Sequence, residues 1–280
     1  MKYNRLVHHN GLRPSLILLL ALFVSSQTAY ASYTRTKQPQ KQTRATTQPL
    51  LADPTNTQEV IRIFGSLPSD KFRTWLTAEL PLPAPIDEIA FARAAQRAQI
   101  NIVTDANTSE RLQQQALPIL KLFNRENQIR FVVYYDSYPQ LQTLALNHLA
   151  ISTGLLQILK SDAQLNGLIA HELAREIKRG VFQSASANHD LNAVRQMELF
   201  YDAVATLALK ALNFSPETYA VFLQRMINYN VATSSANNTL QYNRHPTLQD
   251  RQRVIRQIDL HHSPITQITI TEIKAIRSTR

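Results

Sequence analysis

The spacing of apolar residues divides the chain into a first part that mixes helix and strand and a second part that is helical. Apolar positions recur at helical spacing over Ile86–Gln99 and again over Ser109–Phe123, where Pro118 marks a kink point. Between them Asn101–Val103 is a candidate short strand. Gln128–Tyr135, rich in Ile, Phe, Val and Tyr, predicts another strand, and Leu141–Ser152 continues as extended segments around Asn147. Asp162 then opens a predicted helix that runs to about Arg179 and stops at Gly180, where cap and terminator chemistry agree. Further helices are expected over Asp190–Leu212, from Ser215-Pro216 to about Tyr229, and over Thr247–Ile258 behind His245-Pro246. A polar stretch, Thr233–Asn243, separates the last two, and Ile265–Ile276 alternates apolar and polar residues like an edge strand. The pattern predicts an α+β, mainly helical fold without internal repeats.

Ahead of these elements the pattern is of a different kind. Lys2, Arg5 and Arg13 precede an uninterrupted apolar run, Leu16–Val24, and Ala29-Tyr30-Ala31 is a small-x-small site. This three-part order predicts a signal peptide over residues 1–31, cleaved before Ser32. A membrane span needs about 20 apolar residues, more than this run supplies. Residues 32–56, rich in Gln, Thr, Pro and Lys, lack periodicity and predict a flexible tether, with folded structure from near Glu59. The remainder reads as one domain over 57–262 and a basic C-terminal strand or tail over 263–280.

Composition narrows the picture. The chain of 280 residues is 44% apolar and has no cysteine, so it can bury one sizeable core but cannot use disulfides or a lipidated cysteine. The expected location is periplasmic, after export across the inner membrane. The net charge of +10 invites a nucleic-acid partner until the charges are located. Residues 57–243 hold 16 basic and 16 acidic side chains, so the folded centre is neutral and the surplus lies at the two ends. A basic tail outside the cytoplasm suits a solvated face or contact with an anionic envelope surface better than nucleic acid.

The candidate chemistry lies on the helix after Asp162. His171-Glu172 sits on an apolar-faced segment, and Arg175 follows four residues after His171. Histidines four apart on a helix can share one metal, with an adjacent glutamate activating bound water. Here the second such position is an arginine, which offers only donors and remains protonated. Pointing inward, Arg175 would bring its charge within reach of Glu172 or Glu198 and bridge them without metal. Turned aside, it would leave room for a histidine from elsewhere to complete a site. Each of these residues also has a plain structural reading: His171 as a core histidine, Glu198 and Asp202 as helix charges, His245 as a cap beside Pro246, and Asn147 as a turn residue.

The order Asn147, Ser152-Thr153-Gly154-Leu155-Leu156, Ala170-His171-Glu172, Glu198-x-x-x-Asp202 and His245-Pro246-x-x-x-x-Arg251 resembles the HtpX and CAAX-prenyl-protease family of zinc endopeptidases. The resemblance spans Gln128–Ile258 and implies a gluzincin-like fold, with a small sheet beside a metal-site helix. It implies zinc as cofactor, with His171 and Glu198 as ligands and Glu172 as general base. Asp202 matches the aspartate that stands behind the ligands. His245-Pro246 matches a loop near the cleft, which makes His245 the candidate for the missing ligand. Three departures surround the site: Arg175 replaces a histidine, Leu199, Phe200 and Tyr201 separate Glu198 from Asp202, and the connection from Arg175 to Glu198 is short. Two expectations follow. One is a pseudo-protease without metal that binds a protein or peptide client, and the other is an active zinc endopeptidase with His171, Glu198 and His245 as ligands.

Overall fold

The computed structural model describes residues 54–82, 84–103, 106–145, 147–233 and 245–262. The predicted signal peptide, nearly all of the tether, the polar stretch from 234 and the basic tail lie outside the described residues. In order, the elements are α1 (Pro54–Gly65), a 3-10 turn (Ser69–Lys71), α2 (Phe72–Glu79), α3 (Glu88–Arg97), β1 (Ile102–Val103), α4 (Ala106–Leu122), β2 (Arg130–Tyr134), β3 (Leu141–Leu144) and β4 (His148–Ser152). They continue with α5 (Thr153–Ile158), α6 (Asp162–Ile177), α7 (Arg179–Ala187), α8 (Leu191–Ala211), α9 (Pro216–Thr233) and α10 (Leu248–His261). The architecture is α+β and mainly helical, with one small sheet.

The sheet has the order β1-β2-β4-β3. β2 and β4 run parallel, pairing Arg130 with His148 through Tyr134 with Ser152, and the two edge strands are antiparallel to their neighbours. Period-2 alternation gives the sheet two faces. Phe131, Val133, Leu149 and Ile151 join the main core with α4, α6 and α8, whereas Tyr134, Leu144 and Ala150 meet Ala95 of α3 on the other face. Such a sheet, covered on both sides by helix, explains why all five residues of β4 are buried.

α8 is the central helix. Leu199, Tyr201, Val204, Ala205, Leu207, Ala208 and Leu209 are all buried, so it is apolar around most of its circumference and is surrounded by α1, α6, α7, α9 and α10. Local chemistry sets the helix starts: the side chains of Asp87, Ser152, Ser161, Asp190 and Thr247 each accept from a backbone N–H within the first turn that follows. No described helix is long and apolar enough to cross a membrane.

Two sequence expectations change. The helix carrying His171 does not run to Arg179 and stop at Gly180. α6 ends at Ile177, Lys178 leaves helical dihedrals with φ −120° and ψ 27°, and α7 restarts at Arg179 with Gly180 inside it. Gly180 has no positive φ, so it terminates nothing; the bend lets Phe182 of α7 reach the main core over α8. The folded part also begins earlier than 57, because Pro54 is the first residue of α1, where proline's missing N–H costs no hydrogen bond.

Candidate functional site

α6 and α8 lie side by side and bring the predicted residues together. α6 presents His171, Glu172 and Arg175, and α8 presents Glu198, Tyr201 and Asp202. All except Arg175 are buried, with Glu198 only 2% exposed and Asp202 fully enclosed. Charges this deep need partners, and here each carboxylate has several.

Asp202 is the anchor. Arg251 of α10 grips it with two bonds, Nε to Oδ2 at 2.6 Å and Nη2 to Oδ1 at 2.7 Å, and the Tyr219 hydroxyl of α9 donates to Oδ1 at 3.0 Å. Burial alone would raise the Asp202 carboxyl, but Arg251 and His171 bring it down to about 2. An ionised Asp202 fixes the state of His171, whose Nδ1 lies 2.9 Å from Oδ1 and therefore carries the proton of that bond. His171 Nε2 then faces Glu198 Oε2 at 3.5 Å. Burial would lower the His171 pKa, yet its bonds to Asp202 and Glu198 outweigh burial and raise it.

Glu198 is saturated. Oε1 accepts from Arg175 Nη2 at 2.7 Å, while Oε2 faces His245 Nδ1 at 3.2 Å as well as His171. Burial raises the Glu198 carboxyl, but His171, His245 and Arg175 together hold it well below the ordinary range. Arg175 completes the bridge with Nη1 to Glu172 Oε2 at 3.1 Å, and its guanidinium lies over the rings of Phe182 at 5.5 Å and Tyr201 at 5.9 Å. Burial works against the Arg175 charge; Glu172 and Glu198 outweigh it, so the pKa rises and the guanidinium stays protonated. Glu172 also receives Thr143 Oγ1 of β3 at 3.4 Å, which ties the sheet edge to the cluster.

These contacts decide how well a cation would fit. A zinc site needs lone pairs that converge on open space. Here the carboxylate oxygens of Glu198 point at Arg175, His245 and His171, and the residue between Glu172 and Glu198 is a donor-only guanidinium. Among the described residues no group of three or more His, Asp or Glu side chains is placed to hold a metal ion. In this arrangement the residues do not fit zinc. Arg175 points inward and bridges Glu172 to Glu198, the first of the two arrangements that the sequence allowed.

All six predicted residues, His171, Glu172, Arg175, Glu198, Asp202 and His245, therefore belong to one connected cluster. Arg251 had a place in the sequence order but no role, and the structure gives it one as the partner of Asp202. Tyr219 and Thr143 were not singled out. One signal pointed toward Tyr219: a Cβ on Gly167, in the middle of α6, would come within 2.9 Å of its ring, so this glycine is a clearance for α9. Compared with models of known protein families and with curated proteins, the chain matches none of them significantly.

Proposed function

We propose that this chain is an exported protein of the zinc-metallopeptidase lineage, with a gluzincin-like domain whose metal has been replaced by Arg175, and that it acts by binding a protein or peptide client. The observation that carries the proposal is the bridge from Arg175 to Glu172 and Glu198. One permanent cation bridges the two carboxylates that the resemblance assigns to catalysis and metal binding. With Glu172 engaged by Arg175 and Thr143, no step of peptide hydrolysis is assigned to it.

β3 offers a surface for the client. It is the edge of the sheet, and Ser152 N donates to Gln140 O at 3.1 Å, which makes that a hydrogen-bonded pair. Hydrogen-bonded pairs alternate in an antiparallel ladder, so the backbone groups of Leu141 and Thr143 face away from β4. An extended segment pairing there would lie beside Glu172 and Arg175 by strand addition.

A second reading has its own support, since His171 and His245 approach the same oxygen of Glu198. In that reading, the active endopeptidase, the two histidines and Glu198 hold zinc, Glu172 is the general base, and Arg175 swings aside. Zinc content of the purified protein separates the two. The expected result is no zinc in the unmodified protein and stoichiometric zinc in Arg175→His. Stoichiometric zinc in the unmodified protein, lost in His245→Ala or Glu198→Ala, would overturn the proposal in favour of the endopeptidase.

A further inference from the structure

α3 lies over the face of the sheet that the main core does not use, and a small separate cluster holds it there. Ala95, Tyr134, Leu144 and Ala150 are buried in this cluster, with Phe91, Ala94 and Ile100 half-buried around them. Both flanks of the helix are pinned at the ends of sheet strands. Ahead of α3, Asn147 Nδ2 donates to Ala84 O at 2.8 Å and to Pro85 O at 3.0 Å; behind it, Tyr135 N donates to Asn101 O at 2.9 Å. The helix closes on Gln99 at φ 53°, a left-handed conformation that is costly for a residue with a Cβ. Residues 87–100 therefore form a short apolar-faced flap between two fixed points.

His148, the first residue of β4, lies beneath this flap and can change charge. It is buried, and its ring stacks on Phe91 of α3 with centroids 4.1 Å apart and planes 17° from parallel. Nε2 faces Glu88 Oε2 at 3.6 Å, and Nδ1 is buried without a partner among the described residues. A neutral imidazole suits these surroundings, since Nε2 can carry the one proton and leave Nδ1 as a bare lone pair. A second proton would make Nδ1 a buried donor with no acceptor, which costs its desolvation. The neighbouring charges do not offset that cost. α3 turns Glu88 toward the ring, but its side chain is 71% exposed and solvent screens it. From β2, Arg130 lies directly across from His148 in the ladder and repels a cation, while β3 has no titratable side chain. Burial, opposed by Glu88 and assisted by Arg130, accordingly lowers the pKa of His148.

We infer that α3 is a proton-operated flap: protonation of His148 breaks its stack on Phe91, and residues 87–100 lift off the sheet between their two fixed points, uncovering Tyr134, Leu144 and Ala150. The stack and the approach to Glu88 involve no residue of the Arg175 cluster, so the flap is independent of whether arginine or a metal fills that cluster. Hydrogen exchange of the purified full chain, read by mass spectrometry and corrected for the intrinsic effect of pH, tests this. Between about pH 7.5 and 5.5, protection over α3 should fall at least about threefold, while peptides from α6 and α8 keep theirs. His148→Phe keeps a ring for the stack but cannot take a proton, so it should remove the pH effect. Glu88→Gln, which deletes the opposing carboxylate, should enlarge it, and a thermal melt checks that both variants fold. If His148→Phe does not fold, Glu88→Gln decides alone, and a fall no larger than in the unmodified protein would overturn the flap. It would also be overturned by α3 protection that is constant with pH, that falls equally in α6 and α8, or that falls as far in His148→Phe.

Discussion

Replacing Arg175 by alanine leaves Glu172 and Glu198 facing one another with no cation between them. Two effects compete: removal of a buried ion partner costs several kcal/mol, but the Arg175 side chain is 34% exposed, and solvent screens part of its charge. The expected loss is therefore about 1–3 kcal/mol in urea denaturation. Adding Glu198→Gln should recover part of it, because the second change removes the stranded charge; strictly additive losses would argue against the bridge. At this scale the sequence was informative about residue type. His171, Glu172, Glu198 and Asp202 stood out through the motif order that resembles the zinc endopeptidases, and the donor-only chemistry of arginine made a bridge one of two expected arrangements, the other leaving the site to be completed by His245. What spacing does not contain is contact across distant elements: Tyr219 and Arg251 reach Asp202 from α9 and α10.

Elements were legible where periodicity and capping agreed. The helices α3, α8 and α10 and the strands β2 and β4 lie within a few residues of the expected spans, because apolar spacing and an Asp or Thr cap point to the same boundary. α1, α2, α5 and α7 were not foreseen. Their segments are short or polar, and tertiary contacts stabilise them; α1, for instance, packs Val60 and Phe64 into the core formed with α8 and α10. Gly154, at the junction of β4 and α5, was part of the motif order without a stated reason. A Cβ there would lie 2.1 Å from the Ser137 carbonyl oxygen, a backbone atom that cannot rotate away. Gly154 N also donates to Asp136 O at 2.8 Å, so the two segments are in direct contact. Gly154→Ala should destabilise by roughly 1–3 kcal/mol through overpacking. The midpoint of thermal unfolding checks this, and an unchanged midpoint would show that the loop at 136–140 yields freely.

For the whole molecule, the buried cluster predicts a stability profile that falls at both ends of the pH scale. Asp202 and Glu198 have folded pKa values below the ordinary range, so their contribution is complete above the ordinary carboxylate value and is lost on acidification. For Asp202 the loss runs from its usual 3.8 down through about 2, and is on the order of 2 kcal/mol. His171 is raised, so its contribution is complete below 6.5 and is lost as pH rises through its folded value. His148 and His262 are lowered by burial and have the opposite sign, favouring the fold above 6.5. The cleanest measurement is therefore a difference: the stability of the unmodified protein minus that of His171→Gln should shrink as pH rises above 6.5. A constant difference would mean that His171 does not titrate in the folded state.

An arginine differs from a metal ion in one respect that bears on the life of the protein. A metal must be captured from the surroundings and can be taken away again, so a site that depends on it is governed by supply. The guanidinium of Arg175 is covalently part of the chain, so it is present at a fixed effective concentration when α6 meets α8 and needs no loading step. Under the proposed function, its cluster closes with the same composition in every copy, whatever the supply of metal. Permanence of the cation is then exchanged for the open coordination position that hydrolysis requires.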